Sequence, residues 1–382
     1  MKVLITNMHK FNGGGHVTYI KSLLTGLPAT YDITVATPAT SRLYRQAGEI
    51  AGIRVVDQPF TSRARRMLPE LLGLRRLLKR EQFDVVHVNG ASDHRHIMLA
   101  SLGLVRRPAI IWTKHNTKSA DSFGNRLRAW LGTSACIAVC EAVARILRQS
   151  PYAGQPIETV RLGLDLRRFP PLAAGERDAA RTAYFGEDHS GLLVLGSVAG
   201  TDYEKGWLDL AAAVARLEPA LRDRVRIIVA GDRPPERHVA MVRELGMQDH
   251  ILLPGLLPDI RPVLAASDIG FVLSYEEAAS YACLESMAMG LPALVTDVGG
   301  LPENVRDGKD GWVVPAGDIQ RIEALVRRML SGEFDMRLLG ESARRRVASN
   351  FSTARLCRET EAVYQHAISD AAIMDSNTEV RP

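Results

Sequence analysis

The sequence predicts an α/β protein built from two doubly wound, Rossmann-like parallel-sheet domains in tandem. Three observations predict it. At 382 residues the chain exceeds one ordinary core and suits two domains of about 170–200 residues each. A hydrophobic content of 46% with 24% charged residues is that of a globular chain. Short apolar runs alternate with amphipathic stretches, and this alternation stops once and then restarts, which is the pattern of parallel strands connected by helices.

The elements follow in order. MKVLITN reads as a strand, and HVTYIKSLLTGL as a helix with Val17, Ile20, Leu23, Leu24 and Leu27 on one face. YDITVATP, IRVVDQP, FDVVHVN, AIIWTKH and ACIAVC are further strands with helical segments between them. Residues 160–178, rich in Pro, Gly and charge, read as a linker. The pattern restarts with LLVLGSVAG, VRIIVAGD, HILLPGLL, IGFVLSY, ALVTDVGG and GWVVPAG. The expected domains are 1–170 and 171–351, then a helix over 352–370 and a frayed tail over 371–382. Two such domains facing each other would hold a ligand beyond the carboxyl ends of their strands.

The net charge is +5 and the pI about 9.1, which suits anionic partners. Much of the charge lies in Arg63, Arg65, Arg66, Arg75, Arg76, Lys79 and Arg80, set among leucines at helical spacing. That segment suits either a solvated helix face or a surface resting on anionic lipid. No nucleic-acid partner is expected, because no aromatic residues alternate with the charges for base stacking. The start lacks the apolar region of a signal peptide, and no apolar run reaches bilayer length. Cys136, Cys140, Cys283 and Cys357 form no CxxC pair, so reduced thiols and a cytoplasmic location are expected. No metal site and no cofactor is expected.

The chemistry concentrates in SYEEAASYACLESMAMG, Ser274 to Gly290. IGFVLSY is a strand, Ser280 suits a helix N-cap, and Gly290 with Pro292 suits the helix stop. Glu277 then lies in the turn and Glu285 inside the helix. A phosphate would sit at the helix N-terminus near Ser280 and Tyr281, with a ribose in reach of Glu285 and a sugar beyond the diphosphate meeting Glu277. The spacing alone fits a nucleoside diphosphate sugar as well as it fits solvated acids at a helix end.

The surroundings decide between these. SYEEAASYACLESMAMGLPALVTDVGGLPENV resembles the E-x7-E segment of retaining GT-B glycosyltransferases of the GT4 type, with Ser274, Glu277, Glu285, Gly290, Pro292, Gly299, Gly300, Pro302 and Glu303 in frame. The resemblance runs nearly the whole length and implies a GT-B fold. It implies that Lys205 in DYEKGW binds the donor diphosphate and that His115, ending AIIWTKH, meets the donor sugar. It assigns Glu277 to the sugar and Glu285 to the ribose. Gly14 and Gly15, in FNGGGH, would let backbone N–H groups approach a phosphate or leave room for an acceptor.

The sequence departs from the family at Ser197, where an arginine is common, and at Ala278-Ala279-Ser280, where Gly-Phe-Gly is common. Arg233 is a candidate replacement cation. The resemblance implies metal-independent, retaining transfer from a nucleotide sugar, UDP-linked, to a hydroxyl of a glycan or lipid-linked acceptor. A bacterial lipopolysaccharide or other surface polysaccharide at the inner face of the membrane fits the basic segment. The alternatives are a nucleotide-sugar 2-epimerase on a similar scaffold and a non-catalytic sugar-nucleotide-binding subunit.

Overall fold

The computed structural model describes residues 1–378. The chain divides into two compact units, one formed by Met1–Gly163 and Thr353 onward, the other by Leu164–Ser352. The division thus falls at residue 163 rather than 170. The last helix, Thr353–Thr378, packs in the first unit on the helix Gly14–Gly26 and under the strands Ala109–Lys114 and Ala135–Ala138. It continues past residue 370, where a frayed tail was expected to start, and 379–382 lie outside the described residues.

Among the described residues the first unit holds seven strands: β1 (Lys2–Thr6), β2 (Asp32–Thr37), β3 (Arg54–Asp57), β4 (Val85–Val88), β5 (Ala109–Lys114), β6 (Ala135–Ala138) and β7 (Ile157–Thr159). They form one parallel sheet in the order β3-β2-β1-β4-β5-β6-β7. The strands β4, β5 and β6 are buried along their whole length. Helices on both faces demand this, and it explains why these strands read as continuous apolar runs rather than alternating ones. β7 was not expected from sequence; it is the edge strand, three residues long and only partly covered.

The second unit holds β8 (Leu193–Ser197), β9 (Val225–Ala230), β10 (Ile251–Gly255), β11 (Ile269–Val272), β12 (Ala293–Thr296) and β13 (Gly311–Val314). Its parallel sheet has the order β10-β9-β8-β11-β12-β13. A core of Leu195, Trp207, Leu210, Ile227, Phe271, Leu294 and Ile322 closes one face. Each completely buried aliphatic side chain of that kind contributes about 1.5–3 kcal/mol.

Both sheets reverse their strand order once, between β1 and β4 in the first unit and between β8 and β11 in the second. At such a point the flanking helices leave on opposite faces, and a crevice opens beyond the strand carboxyl ends. The expected site residues follow from this topology. His115 comes directly after β5, Lys205 lies in the connection after β8, and Glu277 lies in the connection after β11.

Candidate functional site

In the second unit, β11 delivers the chain to the buried Leu273 and Ser274, and then to a turn. The helix Tyr281–Ala288 starts at Ser280, whose Oγ accepts from the Cys283 amide at 3.3 Å. Gly290 follows with φ 79, the left-handed residue that ends the helix. Amides in the first turn of a helix have no intrahelical acceptor and carry partial positive charge. Glu277 sits in the turn just before them.

Lys205 meets Glu277 here, with Nζ 2.9 Å from Oε2 and both side chains largely sheltered, at 26% and 15% exposure. Nothing local in the sequence joins two residues so far apart; packing does. Lys205 ends a short turn, Tyr203–Lys205, and Gly206 follows with φ 68. A side chain at Gly206 would come within 1.9 Å of the Leu273 carbonyl oxygen. The Trp207 indole, fully buried, donates to the Thr201 carbonyl at 3.0 Å and pins the turn from below. The Tyr275 amide donates to the Glu204 carbonyl at 2.9 Å, joining the two connections directly. Gly299, with φ 54, supports the Glu277 turn so closely that a Cβ would lie 1.5 Å from the Glu277 carbonyl oxygen. The motif glycines Gly206 and Gly299 are therefore what lets Lys205 and Glu277 meet.

Glu285 is half-buried inside the helix. Burial pushes its carboxyl up to about 7, against the opposing field of Arg168. A carboxyl poised there can both donate to and accept from hydroxyls. Glu276 is exposed beside this turn. Tyr281 is half-buried and Ser280 buried. Ser197 is buried at the end of β8, 3% exposed, with its hydroxyl accepting from the Ala199 amide. Arg233 is exposed, on a loop tied to Thr201 through a hydrogen bond from the Thr201 hydroxyl to the Asp232 carbonyl.

The first unit builds a different site. Gly13 and Gly14 have φ 68 and 47, and the helix Gly14–Gly26 begins there without a side-chain cap. Gly14 and Gly15 are exposed, and the space beside Gly14 is open. Arg42 donates to the Gly14 carbonyl at 3.1 Å, and its amide donates to the Phe11 carbonyl at 2.9 Å. Behind the glycines the rings of His9 and His16 lie 4.4 Å apart, those of His16 and His115 4.2 Å, and those of Tyr19 and His115 4.7 Å. Burial and the neighbouring His9 hold His16 at about 4. Burial first, then His16, His87 and His9, hold His115 well below the ordinary imidazole range. The cluster is neutral at physiological pH.

Several functional candidates escaped the sequence reading. Arg168 and Arg42 lie outside the recognised motifs, and only the fold shows what they approach. Asn89 follows β4 and binds His115 at 2.9 Å. Asn7, 1% exposed after β1, has no protein partner for either side-chain amide atom. An Asn directly after each of two neighbouring parallel strands (ITN and HVN) was the available signal. Among the described residues no group of His, Cys, Asp and Glu has metal-binding geometry.

Two doubly wound parallel-sheet units in one chain are the GT-B architecture. The comparisons with known proteins agree. The family model described as Glycosyltransferase Family 4 matches residues 13–168, and the one described as Glycosyl transferases group 1 matches residues 190–332. A Bacillus anthracis protein, N-acetyl-alpha-D-glucosaminyl L-malate synthase, is 26% identical over 301 residues, covering 76% of this chain and 77% of its own. Among solved structures, Anabaena HepE in complex with UDP and glucose superposes with a TM-score of 0.80 at 17% identity, covering 96% of this chain and 99% of its own. WaaG, a glycosyltransferase involved in lipopolysaccharide biosynthesis, superposes with a TM-score of 0.72 at 18% identity, covering 95% and 99%. The chain belongs to the GT4-type glycosyltransferases and is an enzyme that uses a nucleotide-sugar donor.

Proposed function

We propose that the protein is a retaining transferase that moves a sugar from a UDP-linked donor to a hydroxyl of a glycan or glycolipid acceptor. The observation that carries this reading is the Lys205–Glu277 pair beside the Ser280-capped helix. Without ligand the two charges neutralise each other. An arriving diphosphate would draw Lys205, a compact cation suited to phosphate oxygens, and release Glu277 to accept from sugar hydroxyls. First-turn amides at Ser280 and Tyr281 would take a phosphate oxygen. Glu285 would hold the ribose hydroxyls, and Arg233 stands on a loop tied to the Lys205 connection through Thr201 and Asp232.

In transfer, the bond between the anomeric carbon and the diphosphate oxygen breaks, and the diphosphate keeps the electron pair. The acceptor oxygen forms the new bond on the same face and gives its proton to a departing phosphate oxygen. Lys205 and the helix N-terminus would stabilise the charge that develops there. His115 would meet the sugar. This assignment is metal-independent, and the nucleotide sugar is a substrate rather than a cofactor.

The helix Ala64–Glu81 supports an acceptor at an anionic membrane surface. Leu74, Leu77 and Leu78 are buried, whereas Leu68 and Leu72 are exposed at 62% and 48%. Arg65, Arg66, Arg76 and Lys79 are exposed on the same helix. Arg75 is excluded from lipid contact, because it donates to the carbonyls of Ala100 and Leu102 at 2.9 and 2.5 Å. No helix among the described residues is long and apolar enough to cross a membrane. In this reading the basic helix attaches the protein peripherally, at the inner face of the membrane. The likeness to WaaG supports lipopolysaccharide or a related surface polysaccharide as the product class.

The test is a thermal-shift panel of nucleotide sugars followed by a product assay with the best donor. UDP-sugars should raise the melting temperature more than other nucleotide sugars, and NMR of the product should show the donor's anomeric configuration. No stabilisation by any nucleotide sugar, or an inverted product, defeats the reading. Conversion of donor alone to an isomeric sugar would favour the epimerase.

A further inference from the structure

We propose that Asn89 is a positioning residue that holds His115 in a single neutral tautomer, proton on Nε2, leaving the Nδ1 lone pair to accept a hydroxyl hydrogen from the sugar. The inference rests on the reading above, in which His115 meets the sugar.

The argument starts from the Asn89 amide, whose two ends are similar in shape. The Thr6 carbonyl lies 3.0 Å from one end. A carbonyl only accepts, so that end is Nδ2, and Oδ1 is the end facing His115. Oδ1 also only accepts. The His115 Nε2 atom, 2.9 Å away, must therefore carry a hydrogen. A second ring proton is opposed by burial and by the imidazoles of His16, His87 and His9. With one proton on the ring and its position fixed, Nδ1 is left as the lone-pair nitrogen.

The clamp is itself fixed. Asn89 is 2% exposed. Its backbone N–H donates to Asp93 Oδ2 at 3.0 Å, and the Thr6 hydroxyl donates to the same oxygen at 2.7 Å. Asp93 is completely buried. Around the ring, Tyr19 stands edge-on and its hydroxyl meets Thr113 at 3.3 Å, while Thr113 also bonds His87 Nε2 at 2.6 Å. Lys114, the preceding residue, turns its Nζ to Asn116 Oδ1 and the Lys118 carbonyl, at 2.9 and 2.6 Å. Rotating the His115 ring to present an N–H to the sugar would leave Oδ1 of Asn89 buried and unpaired, which burial penalises. The chemical class selected is thus a hydroxyl donor, and a deoxy or methoxy sugar at that position has no hydrogen to give.

The test is long-range nitrogen–proton NMR on protein labelled at histidine, with His115→Gln used to assign the ring. At pH 7.5 the wild type should show a pyrrole-type Nε2 and a pyridine-type Nδ1. Asn89→Ala should lose that single tautomer, keep UDP affinity, and release UDP from UDP-glucose, UDP-galactose or UDP-N-acetylglucosamine about tenfold more slowly, the scale of one hydrogen bond. Asn89→Asp keeps an acceptor at Nε2 but adds charge. It should keep the tautomer and lose turnover as the pH falls towards 6, where wild type does not. A purely structural role predicts one shared pH profile for both variants. A protonated Nδ1 or an imidazolium in the wild type overturns the inference, as does an unchanged tautomer in Asn89→Ala. If the tautomer is as stated but His115→Gln releases UDP at the wild-type rate, the sugar contact assigned to His115 fails while the clamp stands.

Discussion

The two units share a sheet plan yet carry opposite electrostatics at the point where strand order reverses. In the second unit that point holds Lys205 against Glu277, with Glu285 tuned to about 7 nearby. In the first it holds a neutral cluster, with His16 held at about 4 and His115 lower than its ordinary range. Charge suits a diphosphate that must be bound and then stabilised as it leaves. Neutral donors and acceptors can pair with hydroxyls, which both donate and accept without a formal charge. One scaffold thus supplies two chemistries through the residues that follow its strands.

Breaking the charged side should give the largest effects. Glu277→Ala should lower transfer by about 10²–10³-fold, the scale of losing one preorganised electrostatic group, while steady-state kinetics show little change in nucleotide binding. Gly299→Ala should approach that loss by another route. Its Cβ would overlap the Glu277 carbonyl, so the turn must move. The variant should remain folded by circular dichroism and lose transfer, and full activity would contradict the packing account.

Glu285 gives a smaller, pH-dependent effect. Its folded value of about 7 lies above the unfolded carboxyl value near 4.3. Between those values the folded state binds more protons than the unfolded state, so this group's contribution to stability falls as pH rises. Glu285→Gln removes that slope. Its melting temperature relative to wild type should rise between pH 5 and pH 8, by about 2–4 °C for each kcal/mol. A difference that stays flat or falls would show that the carboxyl is not held protonated by burial.

The membrane face should respond most gently. Arg76→Gln with Lys79→Gln should weaken co-sedimentation with anionic liposomes by about 1 kcal/mol for each charge and leave transfer to a soluble acceptor unchanged. Arg75→Gln should instead lower stability, because its guanidinium is committed to the Ala100 and Leu102 carbonyls. Liposome binding that ignores the double substitution would leave Leu68 and Leu72 as ordinary surface leucines.

Much of this was readable in the chain, and the gaps have physical causes. Apolar runs bounded by Gly, Pro and Asp marked twelve of the thirteen strands among the described residues; β7, Ile-Glu-Thr, is too short and too exposed to carry a pattern. The Ser280 cap and the Gly290 stop are local chemistry and were legible. What could not be read was distance. Lys205 finds Glu277 because Gly206 and Gly299 remove side chains from two backbone contacts, and a one-dimensional pattern does not show which backbones touch. Asn89 could not be linked to His115 for the same reason, since β4 and β5 had first to be placed side by side. The leucines from Leu68 to Leu78 read only as a series at helical spacing, and the fold decides between them, burying Leu74, Leu77 and Leu78 and exposing Leu68 and Leu72.

The central claim is that Glu277 and Glu285 serve different parts of one donor, and calorimetric titration of UDP into two variants tests it most directly. Glu285→Ala should bind UDP about tenfold or more weakly, the loss of its hydrogen bonds to the ribose hydroxyls. Glu277→Ala should bind UDP within about threefold of wild type, because UDP carries no sugar for that carboxylate to hold. An equal loss of UDP affinity in the two variants would contradict the division of roles.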